Sequence, residues 1–174
     1  MSIRGTDRGE IHVCVACHHV ACAVDAKWVV RLALIDEATS IRRAPSGVTL
    51  ADFREGTFVA WDLGVLLGLP MVKESWILTR VAIGGHTLPM AIRTGRCLSV
   101  TRLEAFAPLP RTLFRTREKA LPAMFPVELI GPMRADVVFG ARLEPTELWG
   151  RSEIDASVAA LGDRGGVTIA AIDG

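Results

Sequence analysis

The chain has 174 residues, half of them apolar, and a formal net charge of +1 at pH 7. This length and composition indicate one folded domain, or two small subdomains that share a core, and exclude a disordered chain. A charge this close to zero argues against a protein that binds nucleic acid by neutralising phosphates. Basic residues are concentrated over 80–119, where eight Lys or Arg accompany two Glu, a pattern typical of a solvated face.

No segment reaches the roughly 18 consecutive apolar residues of a membrane helix, and the first ten residues lack the apolar core of a secretory signal. We therefore expect a cytoplasmic protein without direct membrane insertion. Its four cysteines are expected to be free thiols, as is usual in a reducing compartment. Residues 1–9 are polar and are predicted to be a flexible N-terminus.

The chain then begins with short apolar runs separated by turn residues. Asp25 can cap a helix over 26–35, but a strand over 28–34 fits the pattern nearly as well, and both assignments stay open. The other predicted elements up to residue 47 are strands at 11–16 and 20–24 around a Cys-His-His turn, a weakly alternating stretch at 38–43, and a Pro-Ser-Gly turn at 45–47.

The stretch 52–70 contains the clearest strand. Phe58 points to one side and Val59 to the other, and both sides are apolar, which is typical of a strand buried on two faces. Trp61 is on this strand, and we expect it in the core. Asp62 ends the strand, where it caps the short helical pattern that follows or pairs with an arginine.

Short strands and turns resume after residue 70. Strands predicted at 76–83 and 87–92 flank Gly84-Gly85, a two-residue hairpin signal. The remaining predicted elements are strands at 97–100 and 103–106, a basic loop or helical turn at 111–119, a strand, turn and strand over 127–140, a helix opening at Pro145, and an amphipathic run at 153–161 inside a C-terminal extension, 151–174.

A weak internal repeat relates residues 15–24 to residues 82–91, at an offset of about 67 residues. Each is a strand, a turn containing His, and a second strand. The strand-to-helix junction at 61–67 is echoed at 139–148. Many short strands with frequent turn signals predict an all-β chain, and the repeat predicts two small barrels side by side, which leave few free strand edges.

Residues 52–69 resemble the adaptor CheW and its relatives. That family carries a stretch of the form N-L-R-G-x-x-x-P-V-I-D-L, followed by a short helix that ends in L-G-L. The matching positions here are Arg54, Asp62, Leu63 and Leu67-Gly68-Leu69, while Asp52 replaces the Asn, Gly56 comes one place late and Val59 replaces the Pro. The resemblance covers about residues 10–150.

The resemblance implies an all-β fold of two small five-stranded barrels over 10–150, with a few short helices. It implies a non-catalytic adaptor, without a cofactor, in a bacterial chemosensory signalling pathway. The adaptor would link methyl-accepting chemotaxis receptors to the regulatory domain of a CheA-type histidine kinase. The partner-binding residues would be Arg54, Val30, Leu32 and Asp62.

One region departs from the family pattern. The family tends to have an acidic residue in the segment that matches 27–32, and this chain is basic there. The departure suggests an alternative, namely a divergent CheW-like protein that binds another partner outside chemotaxis.

A different alternative is a metal or haem protein. Cys14, Cys17 and His18 form a C-x-x-C-H sequence, the attachment motif of c-type haem, and Cys22 could join them around zinc. The export signal that haem attachment requires is not apparent, and a second C-x-x-C is missing. We therefore expect cysteines packed in a hairpin and no metal. No hydrolase, zinc-protease, phosphate-loop or kinase motif occurs, so we do not expect an enzyme.

Overall fold

The computed structural model describes residues 10–109, 118–130 and 136–162. The predicted flexible N-terminus, most of the 111–119 loop, the Gly131-Pro132 turn and the end of the C-terminal extension lie outside these ranges.

Within the described ranges the chain is built mainly of short strands. They are β1 Glu10–Cys17, β2 Val20–Asp25, β3 Val29–Leu34, β4 Ser40–Arg43, β5 Thr49–Phe53, β6 Gly56–Asp62, β7 Ser75–Ile83, β8 His86–Thr94, β9 Cys97–Leu103, β10 Ala107–Pro108, β11 Ala123–Phe125 and β12 Phe139–Leu143. This part of the chain has two α-helices, α1 Leu63–Leu66 and α2 Arg151–Gly162, and short 3₁₀ turns at Ala26–Trp28, Ile35–Glu37, Glu118–Ala120, Val127–Ile130 and Pro145–Glu147.

The strands form two sheets. Sheet I has the order β10-β11-β12-β2-β1-β9, and sheet II has the order β3-β7-β8-β6-β5-β4. The prediction of an all-β chain with two subdomains is confirmed. Among the described residues each sheet has six strands, one more than predicted, because short edge strands such as β10 have too few residues to show a periodicity of their own.

The two sheets have the same strand topology, but the strand that comes first in the sequence occupies a different position in each sheet. Each contains a central hairpin, β1–β2 in sheet I and β7–β8 in sheet II. The second strand of each hairpin pairs in parallel with a strand that runs into a helical turn, β12 beside β2 and β6 beside β8. The two hairpins are the internal repeat that the sequence predicts.

Side chains of the central strands alternate between two apolar environments. On β6, Phe58 lies in the cluster enclosed by sheet II, whereas Val59 lies in a larger cluster shared by both sheets. On β1, Cys14 lies in the cluster enclosed by sheet I, and Val15 lies in the shared cluster. Because successive side chains of a strand point to opposite faces, such a strand must be apolar at every position. The prediction of a strand buried on two faces is confirmed for β6.

Of the two assignments for 26–35, the strand is correct and the helix is wrong. Ala26–Trp28 forms a single 3₁₀ turn, which Asp25 caps by accepting a hydrogen bond of 2.9 Å from the Lys27 backbone N–H. The chain then extends as β3, which pairs antiparallel with β7. Pairing along a neighbouring strand outweighs the weak helical spacing of the apolar residues.

Other boundaries also differ from the prediction. β9 extends the strand predicted at 97–100 to Leu103, which pairs with Glu10 at the start of β1, and residues 104–106 do not form the second strand predicted there. The segment Val127–Ile130 is a 3₁₀ turn rather than a strand, since Pro126 fixes φ at its start and accepts a hydrogen bond from Leu129 N–H. Pro145 begins a 3₁₀ turn, and the longer helix starts only at Arg151.

Trp61 is partly buried, not fully buried as predicted. Its ring lies 5.9 Å from that of Trp149, at the margin of the shared cluster. The pairing of β6 with β5 ends at Ala60, so Trp61 has a neighbouring strand on one side only, that of β8. Its partner Trp149 lies two residues before α2, and Ala160 and Leu161 of α2 are buried in the shared cluster. No helix in the described ranges combines the length and the apolar character needed to cross a membrane.

Gly140 is expected to be essential for the packing of sheet I. A Cβ atom at this position of β12 would lie 2.4 Å from two ring atoms of the buried Phe125. Gly140→Ala should therefore lower the free energy of unfolding by about 1–3 kcal/mol, the usual cost of overpacking a core. Urea denaturation would measure it. The control is Gly162→Ala, where no atom lies within 4 Å of the added methyl; similar losses in both variants would contradict the packing argument.

Candidate functional site

The β5–β6 turn presents the most exposed functional side chain that the sequence predicts. Phe53 and Gly56 pair across the hairpin, which leaves Arg54 and Glu55 as a two-residue turn. Gly56 adopts a φ of +127°, a conformation that is rare for residues with a side chain. The side chain of Arg54 is 90% exposed, and its guanidinium lies 4.0 Å from the Glu55 carboxylate. At this distance and exposure the ion pair is weak.

Glu55 itself is held by Arg31 of β3. Its two carboxylate oxygens accept hydrogen bonds from Nε and Nη2 of Arg31, the second at 3.1 Å. Arg31 Nη1 lies 2.8 Å from Glu37 Oε2 and donates to the Leu32 carbonyl at 3.0 Å. The bidentate geometry is the strongest form of a guanidinium–carboxylate pair, and it connects edge strand β3 to the β5–β6 turn.

These ion pairs shift the titration of their members. The hydrogen bond from Arg31 lowers the pKa of Glu55, while the Leu34 backbone N–H and then Arg31 lower the pKa of Glu37. The pKa of Arg31 is raised, chiefly by Glu55. All three groups are therefore charged at neutral pH.

Apolar side chains of β3 flank Arg31 in the sequence. Val30 is 42% exposed and Leu34 is 64% exposed. Leu32 is only half-buried and packs against the shared cluster. Among the predicted site residues, the structure thus brings Arg54, Val30 and Leu32 into one region of sheet II. Of these, Arg54 and Val30 are accessible to a partner.

Asp62 is separated from that region. It lies at the end of β6 opposite the β5–β6 turn, and it is 7% exposed. Its carboxylate accepts hydrogen bonds from the Val65 backbone N–H at 3.1 Å and the Val72 backbone N–H at 3.2 Å, and it lies 3.4 Å from Arg93 Nε. Both structural roles predicted for it, capping α1 and pairing with an arginine, are present together.

The cysteine motif does not form a binding site. Cys14 and Cys17 are three positions apart on β1, so their side chains belong to different apolar clusters. Burial raises the pKa of Cys14 to about 11 and that of Cys17 to about 12. His18 directs its Nε2 to the Pro70 carbonyl at 2.7 Å. In the parts of the chain that the structure describes, no three His, Cys, Asp or Glu side chains are grouped to hold a metal ion.

The ion pair between Arg31 and Glu55 is the feature of the site that the sequence analysis missed. The two residues are 24 positions apart, and no local periodicity connects them. The sequence contained one hint of this contact. Glu55 stands where the CheW-like motif has its Gly, and Arg31, on a strand predicted earlier in the chain, had no assigned partner.

Removal of the Asp62 carboxylate should destabilise the fold. Asp62→Ala leaves the Val65 and Val72 N–H groups without this acceptor and Arg93 without its nearby carboxylate. We expect a loss of about 2–3 kcal/mol in the free energy of unfolding. Thermal denaturation would test it against Asp155→Ala, a change at an exposed position of α2. Equal melting temperatures for the two variants would show that Asp62 has no such role.

The lowered pKa of Glu55 predicts a dependence of stability on pH. A carboxylate whose pKa is lower in the folded state stabilises the protein above its unfolded pKa of about 4.3, and this contribution disappears as the pH falls through the folded value. The stability difference between the wild type and Glu55→Gln should be constant from pH 5 to pH 7 and shrink below about pH 4. Urea titrations at each pH would measure it, and a difference that does not depend on pH would contradict the assignment.

The sequence matches no known family profile and no curated protein. Among solved structures, the fold is similar to that of the scaffolding protein TtCheW from Thermoanaerobacter tengcongensis, with a TM-score of 0.60 and 12% sequence identity. The similarity covers 86% of this chain and 94% of that one. The chain therefore has the CheW-like fold of two β-sheet subdomains, as the 52–69 motif predicted.

Proposed function

We propose that the chain is a non-catalytic adaptor that acts in the cytoplasm. It would link a methyl-accepting chemotaxis receptor to the regulatory domain of a CheA-type histidine kinase. The observation that carries this proposal is the exposed Arg54 on a two-residue turn that the Arg31–Glu55 ion pair joins to β3, on a fold similar to that of a scaffolding protein.

The chemistry of this region suits protein binding. Arginine is enriched among the residues that dominate interface energies, because its planar group donates several hydrogen bonds in a fixed geometry. Val30 and Leu34 of β3 supply exposed apolar area on the same sheet. A helix with an apolar stripe can lie on such a surface and place a polar group over the arginine.

The buried cysteines and Asp62 are poorly suited to catalysis. Cys14, Cys17 and Cys22 are buried thiols with raised pKa values, which makes them poor nucleophiles. Asp62 is the acid at the end of β6, and its carboxylate is occupied by backbone N–H groups and Arg93.

One observation favours a second candidate within the same class. The resemblance implies an acidic residue near 27–32, and β3 instead carries Arg31, which pairs with both Glu55 and Glu37. A partner adapted to an acidic β3 would meet a different pattern of charge here. This favours a CheW-like adaptor whose partner lies outside chemotaxis, and binding assays with both kinds of partner would separate the two.

The proposal predicts that Arg54 contributes to binding and little to folding. Arg54→Ala should weaken binding to the receptor tip or to the kinase regulatory domain by about 2 kcal/mol, roughly thirtyfold. Its free energy of unfolding should change by less than about 0.5 kcal/mol, as at other exposed sites. Isothermal titration calorimetry and thermal melting of the same preparation would measure both quantities.

The matched control is Arg80→Ala, an exposed arginine on β7 of the same sheet, which should leave both quantities unchanged. If Arg54→Ala lowers the melting temperature and leaves the affinity of the folded protein intact, Arg54 is structural. Absence of binding by the wild type to either protein would reject chemosensory coupling and favour the second candidate.

A further inference from the structure

Two side chains of the protein cover backbone groups of strand β3. The Leu34 backbone N–H donates a hydrogen bond of 2.8 Å to Oε1 of Glu37, and the Leu32 carbonyl accepts one of 3.0 Å from Nη1 of Arg31. The same Nη1 atom lies 2.8 Å from Oε2 of Glu37, so the two side chains are also joined to each other. Arg31 and Glu37 together are called the edge cap below.

The covered groups lie on the side of β3 that faces away from β7. Among the described strands, β3 is at one end of sheet II and pairs with β7. Because the Leu34 N–H is bonded to Glu37, it is not part of the ladder with β7. Backbone groups two residues apart on a strand point to the same edge, so the Leu32 carbonyl also faces outward. Arg31 and Glu37 line an open cleft of about 450 Å³, which leaves space beside this edge.

We propose that the edge cap prevents β3 from pairing with β3 of a second copy of this chain. An uncovered edge strand presents N–H and C=O groups on which another strand can form a ladder. In an antiparallel pair with Leu34 opposite Leu32 of the second copy, each Leu34 N–H would donate to the Leu32 carbonyl of the other chain. The two-fold symmetry forms this contact twice. The cap occupies both the donor and the acceptor.

The composition of β3 makes a second copy the partner that an open edge would take. The strand is Val29–Leu34, with the sequence VVRLAL, and Val30 is 42% exposed and Leu34 is 64% exposed. A short apolar segment with β-branched residues and a single charge is typical of strands that pair with copies of themselves. The net charge of +1 gives little repulsion between two copies.

Opening the cap should cause self-association of the folded protein. Glu37→Ala uncovers the Leu34 N–H. Because the new contact occurs twice in a symmetric pair, the self-association constant should rise at least about tenfold over the wild type. Sedimentation velocity over a series of concentrations would measure it. The matched control is Asp36→Ala, which removes an equal charge from an exposed position of the same 3₁₀ turn and should leave the constant unchanged.

A proline at position 34 tests whether the association uses this edge. Leu34 has a φ of −71°, which proline adopts, and proline has no N–H to donate. Leu34→Pro added to Glu37→Ala should therefore return the self-association constant to the wild-type value. Circular dichroism and thermal melting would show that each variant is folded. Association of Glu37→Ala no stronger than that of Asp36→Ala, or association that persists after Leu34→Pro, would overturn the inference and leave the proposed function intact.

Discussion

The structure depends on strands that bury both of their faces. A β-strand sends successive side chains to opposite sides, and here the two sides belong to different apolar clusters, one enclosed by each sheet and one shared between the sheets. Small residues make this possible. Ala21 and Ala23 in sheet I, and Ala51 and Ala91 in sheet II, are fully buried in the enclosed clusters, so each sheet can curl tightly around a few large rings.

Because the central strands are apolar on both faces, the polar side chains of the motif lie at the ends of the strand. At one end of β6, Asp62 satisfies backbone N–H groups that the strand-to-helix junction would leave without partners. At the other end, the β5–β6 turn leaves a guanidinium in solvent. The two residues belong to one short motif, yet one stabilises the fold and the other is available for recognition, because they lie at opposite ends of the same strand.

Much of the fold could be predicted from local pattern, and the site only in part. The apolar run with Phe58 and Val59 identified a strand with two buried faces, and the His-containing hairpins identified the repeat. Arg54 could be identified from its matching position in the 52–69 motif. The contact of Arg31 with Glu55 could not be predicted, since it depends on how sheet II curls. The partial exposure of Trp61 depends on where the sheet ends, which sequence periodicity does not specify.

The order in which the strands occur has a consequence for biosynthesis. Sheet II uses consecutive strands, β3 to β8, so it can fold as soon as they leave the ribosome. Sheet I combines the first two strands with the last four, and Val20 of β2 pairs with Phe139 of β12. The nascent β1–β2 hairpin, apolar on both faces, must wait for nearly the whole chain to be translated, and contacts so distant in sequence form slowly. During that interval the hairpin exposes apolar side chains of the kind that chaperones bind.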